Sequence, residues 1–281
     1  MTTAAESDFL LAMAAASHRR DERSRSIMSD AQLRSQLICL DKLSGLNLDA
    51  SGFDLITEIK KRSPAEGELD AVFSSPAEQA SAYAEGGAAA LSVLTEPDQF
   101  KGSLDDMHEV TTGVDTPVMR KDFLVSRYQV REARLAGASG VLLIAAMLEK
   151  DQLQKMLEAA FELDMFVLLE AFDTQDLDKA VPVLERFGPA IAKGRCNYLL
   201  GVNCRDLRTL KVNFDHFALM APRLPNDMPW VAESGLTSVE HAVAVAEQGY
   251  RLALVGTALM RSDNPAETVR QWQQAGQAVC S

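Results

Sequence analysis

From residue 53 onward, short apolar runs alternate with longer stretches of helical periodicity. Eight runs stand out: FDLITEI, AALSVL, TPVMRK, GVLLIAA, MFVLLEA, YLLGVN, PWVAES and LALVG. Apart from the short PWVAES they are rich in Val, Ile and Leu. They lack the in/out alternation of a half-exposed strand, which is the pattern of parallel strands covered on both faces. The intervening segments carry helix-start signals. Ser75-Pro76-Ala77-Glu78 combines an N-cap serine, proline at the first helical position and a glutamate at the third, with Gly86-Gly87 as a stop. Ser126-x-x-Gln129 opens a helix ending near Gly137, Thr237-x-x-Glu240 one running to Gly249, and Asn264-Pro265-x-Glu267 the last. One such box is a common local pattern; four of them, each after an apolar strand, predict a repeated β-then-α unit. Eight units predict an α/β fold, a (β/α)8 barrel. The competing doubly wound sheet would carry a glycine fingerprint after its first strand, and no GxGxxG is present.

Residues 1–50 precede this pattern and are predicted as an N-terminal helical extension of one or two helices, packed on the barrel near its mouth. No linker or low-complexity tract divides the remainder, so 1–281 reads as a single barrel domain. The segment FLLAMAAA follows Glu6 and Asp8 and runs into SHRRDERSRS. It lacks the basic start and clean cleavage site of a signal peptide, so it reads as an amphipathic helix. The stretch HRRDERSR reads as that helix's solvated face. No run reaches the roughly 18 apolar residues a membrane span needs.

Composition narrows the function classes. A chain of 281 residues with 47% hydrophobic residues buries a sizeable core. Its net charge of −12 argues against a nucleic-acid surface, which needs clustered Lys and Arg. A small anionic substrate remains compatible, because a local cationic pocket fits inside an acidic protein. The four cysteines (Cys39, Cys196, Cys204, Cys280) form neither a CxxC pair nor a Cys/His cluster. That spacing predicts no zinc site and no disulfide framework, and points to a reducing cytoplasm.

In barrels of this kind the chemistry lies at the C-terminal strand ends. Here that edge is loaded with charge. The first strand ends in Glu58 and Lys60, two apart and so on one face, with Lys61 on the other. The third ends in Lys121, the fifth in Glu170, the sixth in Asn203 and the seventh in Glu233-Ser234. A single charge there reads as a solvated turn. Three carboxylates and two lysines converging on one rim must pair or shift their protonation, and so supply a proton donor and acceptor. Phosphate binding is the second signal. The loops after strands seven and eight, ESGL and GTAL, each supply a glycine and a hydroxyl where barrels often hold phosphate, with Ser63 as a further contact. The histidines (His18, His108, His216, His241) fall on predicted helices, away from the rim. Cys204, with no evident base beside it, reads as a packing residue.

Taken in order, EIKKRSP, MRKDFLVSRYQVREARLAGASGVLLIAAML, LLEAFD, GVNCRDLRTLKVN, VAESGL and LVGTALMR resemble the indole-3-glycerol phosphate synthase family over roughly residues 50–262. The resemblance implies ring closure of 1-(2-carboxyphenylamino)-1-deoxyribulose 5-phosphate, with loss of carbon dioxide and water, in tryptophan synthesis. It implies no metal and no organic cofactor, and association with other enzymes of that pathway as a further expectation. It suggests Lys121 as general acid at the ketone, Lys60 at the departing carboxylate, and Glu170 as general base. Glu58, Asn203 and Glu233 would orient the lysines and sugar hydroxyls, and Arg205 would lie on the anthranilate carboxylate side. Ser63, Ser234, Gly235, Gly256 and Thr257 would cradle the phosphate, while Phe100 and Phe123 would pack on the aromatic ring. How the two lysines divide proton donation is left open.

The chain departs from the family pattern in places. Ala65 replaces the usual serine of Ser-Pro-Ser, Cys204 stands where Asn or Ser is common, and Thr257-Ala258 replaces a more polar pair. EAFD replaces a Glu-Val-His run, and VPVLERFGPAIAKGRCN is roughly 8–10 residues longer than the family's link into strand six. Two other readings compete. A phosphoribosylanthranilate isomerase would bind a similar sugar phosphate but needs a different acid/base pair. A binding-only paralogue is argued against by the intact rim.

Overall fold

The computed structural model describes residues 9–48, 52–64, 67–68, 75–192, 194–207 and 209–280. Ala65 therefore lies outside the described residues. Each of the eight apolar runs forms a strand: β1 Asp54–Ile59, β2 Ala90–Leu94, β3 Val118–Lys121, β4 Gly140–Ile144, β5 Phe166–Ala171, β6 Tyr198–Asn203, β7 Trp230–Glu233 and β8 Leu252–Val255. All are parallel to their neighbours, and the sheet closes in chain order with β8 pairing β1. PWVAES, the run with the weakest composition, pairs on both sides like the others.

The missing alternation has a direct cause. Along β1, Leu55 and Ile59 join the core between the sheet and the helices, while Ile56 joins the core inside the barrel. Along β5, Val167 and Leu169 go outward, and Phe166 and Leu168 inward. Both faces of every strand are covered, so both sets of positions are apolar.

The helices α1 Phe9–Ile27 and α2 Asp30–Leu37 precede the barrel. Around it lie α3 Pro76–Glu85, α4 Leu104–Gly113, α5 Arg127–Leu135, α6 Lys150–Phe161, α7 Thr174–Leu184, α8 His216–Met220, α9 Val239–Glu247 and α10 Pro265–Cys280. Three of the start signals operate as read. Ser75 Oγ accepts from Glu78 N at 3.2 Å, Ser126 Oγ from Gln129 N at 3.2 Å, and Asn264 Oδ1 from Glu267 N at 3.2 Å. The fourth shifts by one residue: α9 is preceded by Ser238, and Thr237 N instead donates to His241 Nδ1 at 3.2 Å. No helix among the described residues is long and apolar enough to cross a membrane.

The N-terminal extension packs as expected, but the stretch HRRDERSR is not simply a solvated face. On α1 the buried positions Leu10, Met13, Ala16, Ser17 and Asp21 follow helical spacing and turn polar along the helix. Asp21 accepts hydrogen bonds from Ser126 and Arg25, and the Arg25 guanidinium lies 4.6 Å from the centre of the Tyr128 ring. Arg20 reaches Glu96 and Asp122. Apart from Arg25 on the same helix, these partners are distant in the chain, which is why the stretch taken by itself looks like surface.

Candidate active site

The barrel mouth encloses a cavity of about 290 Å³. Of the residues singled out above, Glu58, Lys60, Ser63, Phe100, Lys121, Phe123, Glu170, Asn203, Arg205, Ser234, Gly235, Gly256 and Thr257 all line it. Glu233 does not. It is fully buried and lies in the wall of the barrel, with its backbone paired to Asn203.

The inward spacing of Glu58 and Lys60 holds. Glu58 is 4% exposed, and its two carboxylate oxygens take one lysine each: Lys60 Nζ at 2.6 Å from Oε2 and Lys121 Nζ at 2.9 Å from Oε1. Burial by itself would push the Glu58 carboxyl up. Lys121 and Lys60 outweigh burial and hold it at about 2 against an ordinary 4.5. For Lys121, burial favours the neutral amine, but Glu58, Glu233 and Glu170 outweigh it and raise the group above the usual lysine range. Lys61 points away and pairs with Asp106 at 2.6 Å on the surface.

Glu170 and Glu233 form a second unit. Burial raises Glu170, opposed by Lys121 and by a hydrogen bond from Asn203. The Asn203 Oδ1 accepts from Arg205 N at 2.9 Å, which leaves the amide nitrogen to donate toward Glu170. Burial and then repulsion from Glu170 push Glu233 well above the ordinary carboxyl range. Both Glu233 oxygens are buried without a hydrogen-bond donor among the described residues. Two carboxylates cannot hydrogen-bond to one another, whereas a carboxylic acid and a carboxylate can. Of the two carboxyls, Glu233 is therefore the one driven furthest toward its protonated form.

Two glycines make the room. A side chain at Gly201 on β6 would collide with Glu233 Oε1, and one at Gly256 after β8 would collide with Glu58 Oε2. At the β7 end, Ser234 and Gly235 have φ of 69° and 72°, so the backbone turns sharply where the mouth narrows. Cys204 packs under Gly235. It is 1% exposed, and burial pushes its thiol up to about 12, the property of a packing residue.

The opposite wall is apolar. Phe100 and Phe123 lie 6.2 Å apart between ring centres, and Phe9 of α1 meets Phe123 edge-on at 5.9 Å. Leu94, Leu142, Ile144, Leu207, Leu210, Val212, Leu236 and Leu254 add to the apolar lining, and Asp122 also reaches the cavity. Phe9 was not singled out from the sequence, because nothing local shows that residue 9 returns to a mouth built from residues beyond 50. Also missed was a buried polar cluster behind this wall. Asp122 accepts from Thr95 Oγ1 at 2.9 Å, Arg120 Nη2 at 3.1 Å and Phe123 N at 2.8 Å. Strand alternation was the available signal: if Lys121 faces inward, Arg120 must face the helices, where a buried cation needs partners.

Similarity to known proteins follows this geometry. The sequence model for indole-3-glycerol phosphate synthase matches residues 13–272. The chain is 44% identical over 222 residues to an indole-3-glycerol phosphate synthase of Nocardioides sp., covering 79% of this chain and 80% of that protein. A Saccharopolyspora erythraea protein of the same name is 43% identical over 229 residues, covering 82% and 80%. A Mycolicibacterium smegmatis one is 37% identical over 262 residues, covering 89% and 92%. Among solved structures, 3-hexulose-6-phosphate synthase from Salmonella typhimurium superposes with a TM-score of 0.60 at 14% identity, covering 80% of this chain and 99% of that one. Thiamine phosphate pyrophosphorylase from Pyrococcus furiosus gives 0.55 at 16%, covering 81% and 96%. At those identities the structural likeness speaks for the barrel fold alone. The model match across most of the chain, with relatives above 40% identity over four fifths of it, decides the family: this chain belongs to the indole-3-glycerol phosphate synthases.

Proposed function

We propose that the barrel mouth carries out the family's ring closure as follows. The substrate 1-(2-carboxyphenylamino)-1-deoxyribulose 5-phosphate binds with its aromatic ring against Phe100 and Phe123. Its phosphate lies at Ser63, Ser234, Gly235, Gly256 and Thr257. These two ends hold the chain folded, so that the ring carbon bearing the carboxylate faces the ketone. The aniline nitrogen supplies the electrons for carbon–carbon bond formation, and Lys121 protonates the ketone oxygen as charge develops there. Lys60 contacts the carboxylate that leaves as carbon dioxide, with Arg205 on the same side. Loss of the new hydroxyl as water then needs a base for the ring-side proton, assigned to Glu170, and an acid for the leaving oxygen, supplied by the lysine pair.

The observation that carries this assignment is the single carboxylate of Glu58 holding two lysines, one oxygen to each, inside a mouth lined by aromatic groups. One buried anion fixes the separation of the two lysines, so two oxygen atoms of one substrate can be addressed together. The Glu170–Glu233 pair, in which burial raises both carboxyls, is poised both to accept and to return a proton. Incubating the purified chain with the substrate and following indole fluorescence tests the reading. Product formation is expected; a substrate that protects against thermal unfolding yet gives no fluorescence would favour a binding-only protein. The same reading places the chain in the cytoplasm beside the other enzymes of tryptophan synthesis, which co-purification with the tagged chain checks.

A further inference from the structure

We propose that Arg20, on the N-terminal helix α1 and outside the cavity, is a positioning residue for catalysis that aims two active-site loops at once. The inference rests on the reading of Lys121 as general acid given above. Arg20 Nη2 donates to Asp122 Oδ1 at 2.6 Å and Nη1 to Glu96 Oε1 at 3.3 Å. The two carboxylates belong to different loops, one after β2 and one after β3, and both side chains are fully buried.

Each carboxylate in turn shapes an active-site segment. Glu96 accepts from the backbone nitrogens of Asp98, Gln99 and Phe100 at 3.2, 2.6 and 3.2 Å, and so winds the single helical turn Pro97–Phe100 that presents Phe100 to the cavity. Asp122 accepts from Phe123 N and lies between Lys121 and Phe123, both of which line the cavity. The guanidinium is a planar fork, which suits it to bridge two fixed acceptors; an ammonium acts as a point charge and cannot hold the same pair in one plane.

Three further contacts show that the whole β3-to-α5 loop is indexed to α1. Gln129 Nε2 donates to Ser17 Oγ at 2.9 Å while its Oε1 accepts from Val125 N at 2.8 Å. Ser126 Oγ donates to Asp21 Oδ1 at 2.5 Å, and Phe9 meets Phe123. Among these contacts of α1, Arg20 is the one that reaches both loops, which Thr95 Oγ1 also joins by donating to Asp122 at 2.9 Å. Its Nε is buried with no partner among the described residues, an arrangement that stability by itself disfavours. Glu96 has Arg20 as its cation, whereas Asp122 also has Arg120.

The test uses the full chain, with turnover followed by indole fluorescence at saturating substrate and the melting temperature taken on the same samples. Arg20→Met is expected to lower kcat by about 10- to 100-fold where the variant is fully folded, the scale of a misaimed reacting group. The same change made in Lys121→Ala is expected to lower the residual kcat by a smaller factor, below about tenfold, since of the two aimed groups only Phe100 remains. Equal losses in the two backgrounds would make Arg20 merely structural and overturn the proposal, as would kcat within about twofold of the parent. Should Arg20→Met fail to fold, Arg20→Lys retains a cation between the carboxylates without the fork. A drop in kcat of at least about fivefold at unchanged melting temperature is then expected, and parental kcat overturns the proposal. Failure of the Lys121 reading reports separately, as parental turnover in Lys121→Ala itself, while Arg20→Met is still judged on its own kcat.

Discussion

The floor and the mouth of this barrel are built from the same strands and obey opposite rules. Moving two residues along a strand converts one into the other: Ile56 to Glu58, Met119 to Lys121, Leu168 to Glu170, Val231 to Glu233. At the floor, Leu46 from the N-terminal segment bridges Cys196 in the link before β6, with Cys196 N donating to Leu46 O at 2.8 Å. That link forms the small hairpin Ile191–Ala192 with Arg195–Cys196, and Leu46 and Cys196 join Ile56, Phe166, Leu199 and Leu252 in the interior core. The link into β6 thus reinforces the end of the barrel away from the chemistry. The mouth puts its charges directly on this dry plug. Water is excluded from below, so each charge is governed by the neighbours the fold supplies, and pairing and shifted protonation replace solvation.

The contrast can be broken at either end. The largest effect is expected at the mouth: Lys121→Ala should lower turnover by about 10²- to 10⁴-fold, the range of general-acid contributions, in the fluorescence assay. Turnover near the parental value would sink the assignment of the acid. Next comes the floor. Leu46 is fully buried, so Leu46→Ala should cost about 2–5 kcal/mol in denaturant unfolding, with kcat within about twofold of the parent. A matching loss of turnover in folded protein would mean that the two ends are coupled.

Titration sharpens the comparison. Glu58 has its carboxyl depressed from 4.5 to about 2, so the stability it contributes is present above pH 4.5 and lost as pH falls toward about 2. That difference corresponds to about 3 kcal/mol at about 1.4 kcal/mol per tenfold change. The stability gap between the parent and Glu58→Gln should therefore close over that window, and a constant gap would contradict the pairing. Glu233 has the opposite sign. Its carboxyl is raised, so the stability associated with its proton is full below 4.5 and is lost as pH rises through the raised folded value. Glutamine imitates the protonated acid, so Glu233→Gln should remain within about 1 kcal/mol of the parent at neutral pH and lose less stability on the alkaline side. The smallest effect concerns the thiols. Cys39 and Cys280 are exposed and Cys196 and Cys204 buried, so a thiol reagent should modify the first two quickly and the others only on unfolding.

Much of the architecture was legible before any coordinates. Parallel strands covered on both faces leave continuous apolar runs, and the helix caps are local hydrogen bonds, so both depend only on neighbours in the chain. The one displaced cap, at Ser238, shows the limit: two adjacent hydroxyls compete and His241 decides between them. The rim residues were equally legible, because strand periodicity fixes which side chains share a face and a strand end fixes their height. Phe100, Phe123 and Arg205 rested on the family resemblance instead; of all fourteen residues singled out, Glu233 alone does not line the cavity.

What the sequence determined by itself was the periodic part: eight strands, the order of the units, and the set of charges facing inward at one end. What only the tertiary structure decided was pairing. It placed both lysines on Glu58 and buried Glu233 where burial and repulsion from Glu170 raise its carboxyl. It also turned Arg20, on a stretch that reads as surface, into the bridge between Glu96 and Asp122. Periodicity is a property of consecutive residues and survives in one dimension. Apart from Lys60 with Glu58, these ion pairs join residues 63 to 102 positions apart, and such distances exist only once the barrel has closed.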